Sequence, residues 1–412
     1  MTLKPITLAV LSDIHVGAGA RAQDLCPDQN KNAIDKNYRD LFLQFIRDKE
    51  IKPDYLLIPG DVSHSAQPAE LEMASRFITD LCQELHIVED RVLFVPGNHD
   101  VDWSVLNAKD PTGFRRAQRY APLQNKEWIF DRVLRKAASD LLSPAYFCIW
   151  DAPDLLTVGY NSSWHDDTKS PIHHGLVAQE HITALERALM TLDLSPRRVR
   201  VFMAHHHPVS YSDPVPNEPE FSGMTNAQNL LSMLRRHQFD VLIHGHRHSP
   251  NFQTHIVDSG FPLAILSAGS FSATLDPRWS GYVNNQFHLF RISGRDKDHQ
   301  AVHGVVESWA YLCSQGWIPS QKHNGIRHQV PFGTYLQFHQ LRPRLRNILA
   351  THFARRQYTT WAEIVASDPP LEHVPADLAI EVLSSLTSEL SFDTHEGVDG
   401  LVLLLRADYV SS

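Results

Sequence analysis

Cysteine is scarce in this sequence, with four among 412 residues. Cys26, Cys82, Cys148 and Cys313 are far apart and form no CxxC pair. That spacing excludes a disulfide scaffold and a thiolate zinc ribbon, and it suits buried or inert thiols in a reducing compartment. Long apolar runs are also missing: nothing approaches the ~20 residues that cross a bilayer, so no membrane partner is expected. The first apolar stretch, Ile6–Leu11, is short and runs straight into Asp13. It reads as a strand rather than a signal peptide, and a cytoplasmic setting is expected. Cationic excess is lacking as well, since 38 Lys and Arg face 47 Asp and Glu, for a net charge of −9. A generally basic nucleic-acid binder is thereby disfavoured, although a local basic patch is not. Histidine, by contrast, is plentiful: 25 residues, against 11 tyrosines. It is the commonest transition-metal ligand, so its positions come first.

Hydrophobic content of 42% and charged content of 21% are those of an ordinary globular protein, and the length suits one large domain and a small one. Up to about residue 290, short apolar runs alternate with amphipathic helical patterns. Ile6–Leu11, Tyr55–Pro59, Val92–Val95, Leu155–Val158, Val199–Ala204, Val241–Ile243 and Ala264–Leu266 read as buried strands. Tyr38–Glu50, Pro68–His86, Gly175–Leu192 and Thr225–Gln238 read as helices. Phe287–Ile292 and Val302–Trp309 read as a closing hairpin. The expected fold class is a layered α/β core with a small C-terminal α+β module. Residues 1–310 form the large domain in this reading, and 330–412 the module. Within the large domain, 101–154 reads as a cap, with Val133–Leu142 helical; after it, 310–332 reads as loop-like. In the module, a helix over Arg344–Arg356 led by Pro343, a Thr360-x-x-Glu363 capping box, a helix over Pro375–Leu390 and two short strands around Glu396–Gly400 suggest a winged-helix-like unit.

Five polar clusters each follow an apolar run: Ser12-Asp13-Ile14-His15, Gly60-Asp61, Gly97-Asn98-His99-Asp100, His205-His206-His207-Pro208 and Gly245-His246-Arg247-His248. In open α/β sheets functional groups gather beyond the carboxyl ends of strands. Aspartate, asparagine and histidine together make a mixed N/O donor set that suits Mn, Fe, Zn or Ni better than an all-oxygen Ca or Mg cage. Two cations held close together need an anionic bridge, which a carboxylate such as Asp61 supplies. Such a pair polarises a phosphoryl oxygen, lowers the pKa of a bound water and clamps an in-line displacement.

These clusters, in this order, resemble the calcineurin-like metallophosphoesterase superfamily, with its D-x-H, GD, GNH[DE], H-x-P-like and GH-x-H pattern. The resemblance spans residues 6 to about 290 and implies a β-sandwich flanked by helices with two divalent transition-metal ions, manganese first among them. It implies Asp13, His15 and His248 on one ion, Asn98, His206 and His246 on the other, and Asp61 as the bridge. His206 is taken from the triple run because the family's ligand lies two residues before the proline; His205 is the competitor. His99 is implied as the general acid or phosphate stabiliser, and Asp100 as the residue that orients it.

Departures from the pattern narrow the family. Gly60-Asp61-Val62-Ser63-His64 lacks the arginine and glycine that follow the GD aspartate in the protein phosphatases, and no tyrosine stands beside it as in purple acid phosphatases. A phosphodiesterase remains, with nucleic acid or a nucleotide as substrate; nuclease and cyclic-nucleotide phosphodiesterase are not separated. A phosphomonoesterase and a non-catalytic scaffold are the alternatives. Asn161 and Arg247 are candidate substrate-binding residues, and His64 is read as a solvated turn residue. Arg115, Arg116 and Arg119 form a basic cluster, either a solvated helix face or a phosphate-backbone contact. The module's first helix is basic, whereas Pro375–Leu390 carries Asp377, Glu381 and Glu389 and no Lys or Arg. A nucleic-acid groove does not favour such a face. Contact with a protein partner or a second copy of the chain is therefore the expected role of the module.

Overall fold

The computed structural model describes residues 3–17, 25, 37–105, 117–136, 146–166, 174–211, 222–255, 261–275, 283–296, 300–397 and 400–406. The strands are β1 (Ile6–Val10), β2 (Tyr55–Ile58), β3 (Val92–Phe94), β4 (Phe147–Asp151), β5 (Leu155–Tyr160), β6 (Val199–Ala204), β7 (Val241–His244), β8 (Asn251–His255), β9 (Leu263–Ser267), β10 (Gln286–Arg295), β11 (Val302–Leu312), β12 (Gly316–Pro319), β13 (Gln329–Phe332), β14 (Tyr358–Thr360), β15 (Phe392–Gly397) and β16 (Gly400–Arg406). One sheet runs β12-β11-β10-β1-β2-β3, with β13 also on β11; the other runs β4-β5-β6-β7-β9-β8. β1, β2 and β3 are parallel neighbours, as are β5, β6, β7 and β9.

Strand parity explains why the two sheets stack. On β6, Val199, Val201 and Met203 join one buried cluster with Leu8, Val10 and Leu56 of the first sheet. Phe202 and Ala204, between them, join a second cluster with the helices Gln179–Leu189 and Ala227–Arg236. Alternate side chains point to opposite faces, so a strand apolar throughout is buried on both sides, as parallel strands in α/β proteins are. On the outer face of the first sheet, Phe42 and Phe45 of the Tyr38–Asp48 helix meet Trp317 and Trp309, with ring centroids 4.9 and 5.5 Å apart.

Two expectations change here. Residues 310–332 are not loop-like. β12 and β13 lie within them and extend the first sheet, and Trp317 of β12 is buried in the aromatic cluster. Nor do the described parts of 101–154 form a separate cap. β4 belongs to the second sheet, and the Ile129–Lys136 helix packs on β3, with Phe130 and Phe94 centroids 4.9 Å apart. The strands missed from sequence are short or lie at sheet edges, where one polar side hides the pattern. Arg115, Arg116 and residues 137–142 lie outside the described residues.

The C-terminal module has its own buried cluster, including Leu341, Leu345, Ile364, Val382, Leu383 and Leu404. Helix Phe338–Phe353, β14, helices Trp361–Ser367, Ala376–Ser384 and Thr387–Leu390, β15 and β16 follow in that order, with sheet order β14-β16-β15, so the stretch read as one helix over Pro375–Leu390 is two. The helices and the small sheet give the module the α+β content expected, and β14 is an additional strand. The first helix starts six residues before Arg344 and carries Pro343 inside it. The capping box forms as read: Thr360 Oγ1 accepts Glu363 N–H at 3.2 Å, and Glu363 accepts Thr360 N–H at 2.9 Å. Arg342 and Arg346 both pair with Glu389, Arg344 with Asp368, and Arg356 with Glu363. The module's own acids thus neutralise much of its basic helix. No described helix is long and apolar enough to cross a membrane.

Candidate metal centre

The five clusters converge beyond the carboxyl ends of β1, β2, β3, β6 and β7, where the chain turns sharply. Asp13, His15, Asp61, His246 and His248 all have left-handed backbone, with φ between 51° and 75°. Such a conformation is uncommon for a residue with a side chain, and its clustering at one place marks a functional site. Glycine is required at two positions by close approach: a Cβ on Gly97 would collide with Asp61, and one on Gly245 with Ser12 and Asp13.

Two donor groups result. In the first, His248 Nε2 lies 3.3 Å from Asp13 Oδ1 and 2.9 Å from His15 Nε2. In the second, Asn98 Oδ1 lies 3.0 Å from both His205 Nε2 and His246 Nδ1, which are 3.2 Å from each other. Asp61 Oδ2 stands between the groups, 3.6 Å from His15 Nε2 and 3.2 Å from His205 Nε2. Donors each about 2.1 Å from one ion lie about 3.0–3.4 Å apart. Imidazole nitrogens facing each other at such spacing, with carboxylates beside them, fit a shared cation. The Asp13/His15/His248 and Asp13/Asp61/His205 clusters therefore suit a dinuclear metal site.

The supporting contacts fix these donors. The Pro59 carbonyl accepts the Nδ1–H of His205 at 2.9 Å, which leaves Nε2 as the donor to a metal. Ser12 Oγ donates to Asp13 Oδ2 at 2.6 Å, and the His246 N–H donates to Asp13 at 3.1 Å. His99 N–H donates to Asp61 Oδ1 at 2.8 Å. Burial opposes charge on both Asp61 and His205, but their mutual attraction outweighs it. Asp61 is held well below the usual carboxylate range, and His205 is pushed up to about 9. Burial, together with neighbouring His206 and His205, holds His246 well below the usual imidazole range.

The structure corrects two assignments. His205, not His206, faces the donors. It continues the Val199, Val201, Met203 parity toward the first sheet, whereas His206, whose ring packs 4.3 Å from that of His246, turns aside toward Ser162. There its N–H donates to Ser162 Oγ at 3.0 Å, and its Nδ1 lies 2.9 Å from the same hydroxyl. Asp100 does not orient His99. Its carboxylate accepts Gly97 N–H at 3.0 Å and both the N–H and hydroxyl of Ser63 at 2.9 Å. Burial and then the Asp61 charge push Asp100 up to about 6, against these bonds. It staples one site loop to another. The orienting acceptor is instead the His64 carbonyl, which takes the Nδ1–H of His99 at 2.7 Å and leaves Nε2 of His99 to act.

His64 is half-buried rather than a solvated turn residue. It groups with His15 and His99, and its ring centroid is 5.5 Å from that of His99. Spacing alone gives no reason to place it there. Asn161 is buried, and its Oδ1 accepts the Tyr120 hydroxyl at 3.2 Å. Arg247 donates to the Tyr211 carbonyl at 3.1 Å, with its guanidinium 4.3 Å from that ring's centroid. Arg119 is buried and donates to the carbonyls of Asp166 and Trp164, so it is neither on a solvated face nor presented to a phosphate backbone.

Residues 6–250 match the family model of the calcineurin-like phosphoesterases. No curated protein matches the chain. Among solved structures, it is similar to a purple acid phosphatase from yellow lupin seeds, at 13% identity and a TM-score of 0.47, over 76% of this chain and 52% of that one. This chain thus spans about half the length of the lupin enzyme. It is also similar to GAP50 of Plasmodium, the anchor in the inner membrane complex, at 13% identity and a TM-score of 0.41, over 79% and 90% of the two chains. A metallophosphoesterase from Sphaerobacter thermophilus is similar at 14% identity and a TM-score of 0.28, over 72% and 86%.

Proposed function

The chain belongs to the calcineurin-like phosphoesterases, and on that premise we propose that it hydrolyses phosphodiesters, with nucleic acid or a nucleotide as substrate, at two divalent transition-metal ions, manganese first among them. Asp13, His15 and His248 would hold one ion, Asn98, His205 and His246 the other, and Asp61 would bridge them. Bound there, the ions would neutralise phosphate charge and activate water. The rest of the work falls to side chains. His99 is held through Nδ1 by the His64 carbonyl, so its Nε2 is the atom that gives a proton to the leaving oxygen. An alkoxide leaving group needs that proton far more than an activated phenolate does.

The observation that carries the diester reading is the pair of half-buried imidazoles, His64 and His99, beside a donor set that is mostly buried. Arg247, held at Tyr211, supports it too, because a singly charged diester needs less cationic help than a dianionic monoester. The test is a panel of bis-p-nitrophenyl phosphate, p-nitrophenyl phosphate, cyclic nucleotides, and single- and double-stranded DNA and RNA. Diester hydrolysis should exceed monoester hydrolysis, vanish on chelation and return with Mn2+. Faster turnover of the monoester would reverse the assignment.

The two histidines of the triple run separate cleanly. His205→Ala should lose about one metal equivalent, whereas His206→Ala should keep two, measured by elemental analysis after gel filtration. Metal loss confined to His206→Ala would restore the ligand two residues before the proline.

For the C-terminal module, contact with a protein partner or a second copy of the chain remains the proposed role, supported by its internally paired arginines. A cut near residue 310 would fall inside β11, so the informative truncation follows Gly333. That shortened chain should keep metal and small-diester hydrolysis while changing its mass in light scattering or its partner binding. Selective loss of DNA or RNA cleavage, with unchanged mass, would make the module a substrate-binding unit.

A further inference from the structure

A second concavity lies away from the metal centre, between the sandwich and the C-terminal module. It is a cleft of about 620 Å3, within the size range of small-molecule sites. Its floor is β8, the outermost strand of the second sheet, and one wall is β13, on the rim of the first. The opposite wall is the start of two module helices, Phe338–Phe353 and Ala376–Ser384. Phe252, Ile326, Val330, Leu336, Phe338 and Leu378 give it an apolar body. Along the floor and rim stand three amides, Asn251, Gln253 and Gln329, whose side chains have no hydrogen bond among the described residues.

One end of the cleft brings a helix start together with two cations. The Ala376–Ser384 helix has no side-chain cap on its first N–H groups among the described residues, and such a terminus carries partial positive charge. Arg327 lines the same end. It is 9% exposed, and its buried Nε has no acceptor among the described residues. Its Nη2 lies 3.0 Å from Glu396 and 3.7 Å from Asp377, while Lys322 Nζ lies 2.6 Å from Asp377. Asp377 is well exposed.

We propose that this cleft is a ligand site for a mononucleotide, with the phosphate at Lys322, Arg327 and the Ala376–Ser384 helix start. The ring lies against the apolar wall, and the amides read its edge as amides read bases elsewhere. Pro250, two residues after His248, lines the cleft, so occupancy reaches the loop that carries two of the metal-site histidines. Binding here does not depend on hydrolysis at the metal centre.

Calorimetry on the full chain, stripped of metal by a chelator, tests this with AMP and GMP as probes against adenosine, guanosine and inorganic phosphate. One mononucleotide should bind per chain, with its nucleoside and phosphate alone each at least about tenfold weaker, the usual worth of a charge-assisted contact. Lys322→Glu, at an exposed position, should weaken binding by about tenfold or more. Asp377→Ala should tighten it, because a competing carboxylate is gone. Asp61→Asn should leave it unchanged. Failure to bind at millimolar nucleotide, indifference to Lys322→Glu, equal affinity for nucleoside and nucleotide, or loss in Asp61→Asn would each overturn the proposal.

Discussion

Asp61→Ala should abolish diester hydrolysis, by at least about 10²–10³-fold, the loss that follows removal of one group aimed at developing charge, and should release most of the bound metal. Asp61 is 1% exposed, and its carboxylate stands among His15, His205 and the His99 N–H. Asp100 is committed to Ser63 and Gly97, and Asp13 accepts from Ser12 and the His246 N–H. Asp61→Asn preserves shape and removes the negative charge, so it separates geometry from electrostatics. If charge is what holds two cations together, the amide should lose metal nearly as fully as alanine does. Elemental analysis showing two metals per chain in Asp61→Ala would remove Asp61 from the bridging position.

Much of this site is legible in the sequence because the five clusters follow apolar runs, and apolar runs report buried strands. All seven runs are strands, and the order of clusters brings Asp13, Asp61, Asn98, His246 and His248 together. What escapes is direction. The choice between His205 and His206 turns on strand parity, and the alternation through Val199, Val201 and Met203 favours His205. Counting back two residues from Pro208 points the other way, and parity is the better guide. Asp100 and His64 fail for another reason. Which acceptor meets the Nδ1 of His99 depends on where the loop after Asp61 folds back, and no local pattern encodes that approach. Left-handed backbone at Asp13, His15, Asp61, His246 and His248 is likewise invisible in composition. In the fold, β12 and β13 are missed because four-residue strands with exposed positions carry no readable alternation. The capping box at Thr360 is readable for the opposite reason, since it is a contact between residues three apart.

His99 is where a large loss of rate should come without loss of metal. Its Nδ1 is occupied by the His64 carbonyl and its N–H by Asp61, so neither is a metal donor, and its ring stands 4.7 Å from that of His15. His99→Asn should keep both metals while kcat falls by about 10²–10⁴-fold, the usual contribution of a positioned acid. The fall should be small for bis-p-nitrophenyl phosphate, whose leaving group needs no proton, and full for a dinucleotide. His64→Ala supplies the control, because it removes an imidazole yet leaves the backbone carbonyl that orients His99. If His64 only positions, that variant should retain most of the dinucleotide rate. If its imidazole also meets the phosphate, KM should rise for both substrates, whatever the leaving group. An equal loss on both substrates in His99→Asn would argue against proton donation and leave His99 with electrostatic work on the phosphate alone.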